Sequence, residues 1–287
     1  MKAAKGKTMS SNAPAYRADR SRWAWLVLPC TLWAAALSGQ TPGVDSSHQT
    51  LAVDDHRPLA ALASELQKRY PFVVTYEDGP WVAAADVEDV TAALVKSNGP
   101  GKAAPAEPVV VPRRMALTFE YALDKEAGRP IDPEDLLSTL LRQYEAAGGP
   151  GRFRVEGRNG IYHLIPASLK DAKGRWVDAS PVFSTPVKLA DEERTVDHTL
   201  DEIVAQLNAS SPVKIGWGFV PLNLFNQTRI RLAADGVPAR EVLHQILEQL
   251  PRRVTWLLNY DPSAKRYYLS FLLLPGEPVR AVTDRPQ

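Results

Sequence analysis

The chain has 287 residues, of which 45% are hydrophobic and 23% are charged, a composition typical of a globular protein and not of a disordered one. Its 34 basic and 33 acidic residues are unevenly spread, because residues 1–38 carry six basic residues and one acidic residue. The other 249 residues carry 28 bases and 32 acids, a balance that lacks the positive surface needed for a phosphate backbone, so we expect no nucleic-acid partner.

The first segment has the pattern of a secretory signal. Basic residues precede an uncharged, mostly apolar run, Trp23–Ser38, and Ala36 and Ser38 are small residues of the kind that a signal peptidase requires. We therefore predict a signal peptide over 1–38, with a mature N-terminus near Gly39, and a periplasmic or secreted protein. The alternative is an uncleaved membrane anchor, but a proline interrupts the run and a spanning helix needs about 20 mostly apolar residues.

The only cysteine, Cys30, lies inside this leader. After cleavage the chain would have no thiol for a disulfide, a nucleophile or a metal site. An exported chain without disulfides is typical of the bacterial envelope.

Two stretches repeat each other at a constant offset of 141 residues. In each copy three apolar residues have helical spacing, a proline then ends the helix, and alternating apolar residues predict a strand. The matched residues are Leu59, Leu62, Leu66, Pro71, Phe72, Val74 and Tyr76 in the first copy, and Leu200, Ile203, Leu207, Pro212, Val213, Ile215 and Trp217 in the second.

The second part of each copy also agrees. A strand, a helix led by a proline and a final hairpin follow each other in both copies, and an Asn-Gly turn marks the first hairpin. The segments are Leu117–Tyr121, the helix from Pro133, Arg152–Glu156 and Gly160–Ile165 in the first copy, and Arg229–Leu232, the helix from Pro238, Val254–Asn259 and Tyr267–Leu273 in the second. These patterns predict an α+β fold of two tandem small βα-sandwich modules, each of the β-α-β-β-α-β-β type.

The offset falls to 106 in the later helices, so the first module has an insertion of about 35 residues. Within it we predict a short helix with Asp86 as its N-cap and an exposed loop over Asn98–Pro112. Pro181–Leu189 is predicted to supply a strand that leads into the second module. The predicted organisation is a linker over 39–50, module 1 over 51–166 with its insertion at 78–114, a linker over 167–181, module 2 over 182–275 and a disordered tail over 276–287.

Residues for catalysis or metal binding lack a recognisable arrangement. Five acids, Glu77, Asp78, Asp86, Glu88 and Asp89, lack the spacing of a calcium loop, and we interpret them as acids favoured at the start of a helix. The five histidines show no metal-binding spacing, so each is interpreted as a core or surface residue; they are His48, His56, His163, His198 and His244. Neither a nucleophile elbow nor a phosphate loop is present. We predict no catalytic, cofactor or metal site, and no enzymatic activity.

The connection from Trp217 to Phe225 is unusually apolar for a link between strands. Either Phe219, Leu222 and Phe225 fold back as a lid on the second core, or the segment forms a contact patch for another protein, since aromatic residues carry much interface energy. Trp81, after Gly79-Pro80, presents the same alternatives. The candidate interaction patch therefore comprises Trp217, Phe219, Leu222, Phe225 and Trp81.

The pattern of the copies resembles the secretin and TonB short N-terminal domain. The second copy carries the resemblance best, in the segments Thr199–Leu207, Val213–Trp217, Ile230–Leu232 and Val237–Leu247. The resemblance implies a small βα sandwich that mediates protein contacts in the bacterial envelope, as in outer-membrane secretins, signalling TonB-dependent receptors and anti-sigma regulators. It supplies no catalytic residue, and no barrel or channel follows Pro275, so we expect no pore.

We therefore expect a non-enzymatic envelope protein whose partner is of the secretin, receptor or regulator type. A membrane is a partner only if the leader is an uncleaved anchor. The alternative is a ligand-binding or enzymatic protein with its site between the modules. The oligomeric state is not predicted.

Overall fold

The computed structural model describes residues 48–97, 105–123 and 132–276. The described strands are β1 (His48–Asp55), β2 (Val73–Glu77), β3 (Val87–Asp89), β4 (Val110–Pro112), β5 (Met115–Ala122), β6 (Arg152–Arg158), β7 (Ile161–Lys170), β8 (Trp176–Asp178), β9 (Pro186–Thr195), β10 (Ile215–Trp217), β11 (Arg229–Pro238), β12 (Val254–Asp261) and β13 (Arg266–Leu273). The described α-helices are α1 (Pro58–Arg69), α2 (Thr91–Ser97), α3 (Pro133–Ala146), α4 (Val196–Ser210), α5 (Leu222–Gln227) and α6 (Ala239–Gln249). The predicted α+β class is confirmed. The predicted signal peptide, most of the first linker and almost all of the tail lie outside the described residues.

The first half of the fold, residues 48–170, has helices between two layers of strands. β1 pairs antiparallel with β5, while β7 lies between β2, which is parallel to it, and β6, which is antiparallel. α1 contacts β1 and β2, and α3 contacts β5 and β6. Leu59, Leu62 and Leu66 of α1 are buried, as their helical spacing predicts.

α1 and α3 each begin with a proline, and for α3 the sequence predicts this start. Pro58 and Pro133 occupy the first turns, where an amide N–H would have no partner in the helix. Asp132 adds an N-cap, because its carboxylate accepts hydrogen bonds from the backbone amides of Glu134 and Asp135.

The second half, residues 186–273, has the same order and the same pairing directions. β9 pairs antiparallel with β11, and β13 lies between parallel β10 and antiparallel β12. α4 contacts β9 and β10, and α6 contacts β11. Leu200, Ile203 and Leu207 of α4 are buried, at positions that match those of α1.

One sheet runs through both halves. β12 pairs in parallel with β2, with Leu257 opposite Tyr76 and Leu258 opposite Glu77. The strand order is therefore β10-β13-β12-β2-β7-β6, and β8 pairs with the far end of β7. β10 and β6 are the two ends of this order.

The shared sheet separates two cores. Successive side chains of a strand point to opposite faces. Accordingly, Val74 and Tyr76 of β2 belong to the core of the first half, whereas their neighbour Val73 belongs to the core of the second half. The second core also contains Trp256 and Leu258 of β12.

The segment predicted as an insertion, 78–114, differs from its sequence interpretation. The helix begins at Thr91 and not at Asp86, because residues 87–89 pair with 110–112 as a short strand ladder. Asp86 is buried and binds Lys170 instead of capping a helix. Pro112 is buried as well, so the predicted exposed loop ends before β4, while residues 98–104 lie outside the described part.

The predicted linkers also contain regular structure. β1 begins at His48, inside the segment predicted as a linker. In the second linker, β7 extends to Lys170 and forms a hairpin with β8. The strand predicted over 181–189 starts later, at Pro186, after a single 3₁₀ turn at Val182–Ser184, and continues to Thr195.

Candidate protein-contact site

The structure divides the five residues of the predicted patch into two groups. Trp217, Phe219 and Leu222 are exposed, with 38%, 61% and 56% of their surface accessible. Phe225 and Trp81 are buried, at 0% and 5%. The predicted patch therefore needs a correction, because these two side chains belong to the core.

One further residue joins the exposed group. Leu273, at the end of β13, is 48% accessible and lines the same region as Phe219 and Leu222. We call Trp217, Phe219, Leu222 and Leu273 the aromatic surface. The sequence interpretation missed Leu273, because nothing in an apolar strand marks the residue at which burial stops.

The backbone fixes the position of Phe219. The pairing of β10 continues past its last residue, since Gly218 N–H donates to Leu269 O at 2.8 Å and Phe271 N–H donates to Phe219 O at 2.7 Å. The main chain of Phe219 is therefore held against β13 while its ring remains outside. An apolar ring held in water by a well-bonded backbone is available for contact at little further cost in conformational entropy.

Pro221 then turns the chain into α5, which covers the second core. The Phe225 ring meets the Phe271 ring edge to face, at 5.0 Å between centroids and 82° between planes. Only Phe225 acts as the lid that the sequence allowed for this loop. Phe219 and Leu222 do not fold back.

The aromatic surface borders two open grooves. The first, of about 520 Å³, lies between Trp217 and the start of α4, where Asp197 and Asp201 supply negative charge. The second, of about 440 Å³, lies between Phe219 and Leu273, where Arg252 supplies positive charge.

The outer edge of β10 is partly closed by a side chain. Lys214 O and Gly218 N–H bond to β13, so the backbone groups of Ile215 and Trp217 point the other way. The Asn208 amide bonds both groups of Ile215, at 2.7 Å to its N–H and 3.0 Å to its C=O. Trp217, two residues further along β10, also directs its backbone N–H and C=O groups to this outer edge.

Three of the five clustered acids are buried ion-pair partners, which corrects their interpretation as acids at a helix start. Glu77 binds Arg240 at 2.7 Å, Asp78 binds Arg57 at 2.7 Å, and Asp86 binds Lys170 at 3.0 Å. Their partners lie far along the chain, so sequence spacing carried no signal for them.

Two histidines meet where the halves join. His163 Nδ1 lies 2.7 Å from Thr75 Oγ1, and His163 Nε2 lies 3.0 Å from His244 Nδ1. The pKa of His163 is lowered to about 3, mainly by burial and in addition by the neighbouring His244 and Arg240. Burial also lowers the pKa of His244, although Glu248 opposes this effect. Both rings are therefore neutral at pH 7.

A cavity of about 220 Å³ adjoins these histidines. Its charged side chains are already paired, Arg158 with Glu241 and Arg240 with Glu77. Among the described residues, no group of three or more His, Cys, Asp or Glu side chains is arranged to hold a metal ion.

Comparisons of the chain with protein-family models, curated proteins and solved structures gave no match. Within the three described ranges, none of the helices combines the length and the apolar character needed to cross a bilayer.

Proposed function

We propose that the chain is an exported bacterial envelope protein that acts through protein–protein contacts and without catalysis. The observation that carries this proposal is the aromatic surface at one end of the shared sheet. Contiguous exposed apolar side chains mark interaction sites, and aromatic residues are enriched in the energetically dominant part of interfaces. Phe225, in the same loop, is buried, so the exposure of Phe219 and Leu222 is not a general property of that segment.

The repeated order of elements supports the finer part of the proposal. We interpret residues 48–170 and 186–273 as two tandem modules that resemble the secretin and TonB short N-terminal domain. The strands β2-β7-β6 and β10-β13-β12 have the same order and the same parallel and antiparallel pairing directions, which supports this interpretation. The resemblance then implies a partner of the secretin, receptor or regulator type, and the leader at 1–38 implies export.

A small-ligand site between the halves is a second candidate, favoured by the cavity beside His163 and His244. Its volume of about 220 Å³ lies below the usual range of ligand pockets, and the ion pairs on its wall leave few polar groups for a ligand. The aromatic surface therefore has the stronger support.

Site-specific photo-cross-linking in the organism of origin tests the proposal. A photoreactive phenylalanine analogue replaces Phe219, and in a matched control strain it replaces Val177, which is 45% exposed on β8. We expect a discrete cross-linked product from position 219, lost when Trp217→Ala and Leu222→Ala are added, and none from position 177. Equal products from both positions, or no product from position 219, would contradict the proposal.

A further inference from the structure

One strand pair joins the two halves of the fold, and each of its two strands has a counterpart in the other half. Within the sheet, β12 of the second half lies beside β2 of the first half. β2 corresponds to β10 by order and pairing, and β12 corresponds to β6. The two ends of the sheet, β10 and β6, are thus the counterparts of the two strands that form the internal junction.

The registers of the two halves give the correspondence residue by residue. In the first half Tyr76, Leu164 and Val155 lie in one row across β2, β7 and β6. In the second half Trp217, Leu269 and Leu258 lie in the same row across β10, β13 and β12. Tyr76 and Trp217 are also separated by the repeat offset of 141 residues.

The junction can therefore be transferred to β10 and β6, which pair with no further strand among the described residues. Inside the chain Leu257 lies opposite Tyr76 and Leu258 opposite Glu77. The same arrangement between two molecules would place Arg154 of β6 opposite Trp217 of β10, and Val155 opposite Gly218. The strands would run parallel, as β12 and β2 do.

The backbone of β6 has the required orientation. Arg158 and Ile161 flank the two-residue turn of Asn159 and Gly160, both at positive φ, and such a flanking pair is hydrogen-bonded across the hairpin. By alternation the N–H and C=O groups of Val155 point away from β7. In the transferred register Val155 N–H would meet Trp217 C=O. Val155 C=O would accept from Phe219 N–H, as Leu258 C=O accepts from Asp78 N–H, and Phe219 N–H would leave Ser270 Oγ, to which it donates within one molecule.

The Asn208 side chain at the edge of β10 does not oppose this pairing. Gln67, its counterpart at the same repeat offset, accepts a hydrogen bond from Val74 N–H at 2.8 Å, and β12 still pairs with β2 just beyond it. A side chain that bonds the backbone of Val74 thus leaves β2 able to pair at Tyr76. We expect the same of Asn208, which bonds Ile215 and leaves Trp217 able to pair.

The two ends also place a guanidinium and an indole on one face, although Arg154 pairs with Glu156 at 2.7 Å within one molecule. Val155 packs towards the first core, so Arg154 points to the opposite face, and Trp217 points to that same face because Ile215 lies in the second core. The Arg154 guanidinium would then lie beside the Trp217 indole, near Asp197 and Asp201 of the first groove. Arginine stacks favourably on indole and pairs with carboxylates.

We propose that the partner of the aromatic surface is a second copy of this chain, joined head to tail by β6 of one molecule and β10 of the next. This inference rests on the proposed function, in which the aromatic surface is a protein contact, and assigns that contact to a second copy in place of a secretin, receptor or regulator. The interface is heterologous, because each molecule contributes a different edge to each contact. Such contacts grow into filaments or close into rings.

Two proline variants block the two edges separately. Val155→Pro removes an N–H that points away from the fold, and Trp217→Pro does the same on β10, so neither variant loses a bond within the sheet. Val155→Ala is the matched control on β6, because it shortens the side chain and keeps the N–H group. Trp217→Ala removes the indole but keeps the N–H group, so it should weaken assembly less than Trp217→Pro. Sedimentation velocity of the protein as purified from its host measures assembly, and circular dichroism confirms that each variant folds.

The expected results separate this mode of assembly from others. The wild-type protein should sediment faster with rising concentration, and each proline variant alone should remain monomeric. An equimolar mixture of the two variants should stop at a dimer, because the intact β10 edge of Val155→Pro can pair only with the intact β6 edge of Trp217→Pro. A wild-type protein that is monomeric throughout, a Val155→Pro protein that dimerises alone, or a mixture that stays monomeric would each overturn the proposal.

Arg154→Glu provides a test that does not depend on the proline variants folding. It replaces the exposed cation with an acid that would face Asp197 and Asp201, and we expect at least about tenfold weaker self-association. Unchanged association would overturn the proposed register. A monomeric protein whose position 219 cross-links a different protein would overturn self-association alone and leave the proposed function standing.

Discussion

Arg240 Nη2 donates a hydrogen bond of 2.7 Å to Glu77 Oε2, and this ion pair lies buried where the two halves of the fold meet. Glu77 Oε1 also accepts a hydrogen bond from Phe183 N–H at 3.1 Å. Burial raises the pKa of Glu77, while Arg240 and the backbone amide act to lower it. A charge in this position tolerates the loss of water only because its partner is present.

Replacing one partner of this ion pair should reduce the free energy of unfolding much more than replacing both. Glu77→Leu and Arg240→Met should each destabilise the fold by about 3–5 kcal/mol, because each leaves an uncompensated buried charge. The double variant should lose far less than the sum. Urea unfolding of the four proteins gives the coupling energy.

Asp191→Asn is the control for that cycle, because Asp191 and Arg231 form an ion pair on the surface. We expect no measurable loss of stability from it, since exposed ion pairs are screened by water and salt. Additive effects of Glu77→Leu and Arg240→Met would show that the pair does not act as a unit.

The stability of the fold should fall in acid, in part because of His163. Its pKa is about 3 in the folded protein, against about 6.5 in an unfolded chain, so the folded state binds fewer protons between these values. The contribution of neutral His163 to the free energy of unfolding is thus fully present above pH 6.5 and is lost as the pH falls towards 3. Over this range the free energy of unfolding changes by at most about 1.4 kcal/mol per pH unit because of His163.

His163→Gln should remove that part of the slope, while His198→Gln, at an exposed position of α4, should keep it. Urea unfolding between pH 7 and pH 5 measures both. If His163→Gln and the wild-type protein lost the same stability over this interval, the pKa assigned to His163 would be refuted.

The parts of the fold that could be predicted are those for which local pattern and tertiary packing agree. α1 and α4 follow from apolar residues at helical spacing, because each helix buries one face against the strands beside it. The hairpin of β6 and β7 follows from the Asn159-Gly160 turn. In contrast, Asp86 has the sequence context of an N-cap, yet it binds Lys170, 84 residues away, and the helix starts five residues later.

The candidate site was only partly predictable for a related reason. Leu222 and Phe225 belong to the same short helix, and their spacing does not tell which of them faces the core. The distinction comes from Phe271 on β13, which receives the ring of Phe225. The meeting of His163 with His244 likewise depends on the pairing of β12 with β2, which no local pattern encodes.

Phe225→Ala and Phe219→Ala should separate stability from contact. Phe225 is fully buried, so its truncation should cost about 3–5 kcal/mol and lower the melting temperature strongly. Phe219 is exposed, and its truncation should change stability by only about 0.5 kcal/mol while it reduces partner capture. Thermal unfolding and pull-down yield are measured for both. Normal capture by folded Phe219→Ala would remove Phe219 from the contact surface.

The leader should be absent from the exported protein. Ala36 and Ser38 supply the small residues of a cleavage site, so N-terminal sequencing should find a chain that begins near Gly39. Replacement of both residues by bulky ones, Ala36→Leu with Ser38→Leu, should block processing. An exported wild-type protein that still carries residues 1–38 would mean that the leader is an anchor.

Gln67 and Asn208 occupy matching positions in the two halves but should respond differently to substitution. Gln67 is 2% exposed and its side-chain oxygen accepts a hydrogen bond from Val74 N–H, so Gln67→Met, which keeps the volume and removes the acceptor, should cost about 1–3 kcal/mol. Asn208 bonds Ile215 at the open edge of β10, where water can replace the lost bonds, so Asn208→Ala should cost less in the monomer. Urea unfolding at low protein concentration measures both values. A cost for Asn208→Ala as large as that for Gln67→Met would show that the edge of β10 is closed to water, and therefore closed to a second strand.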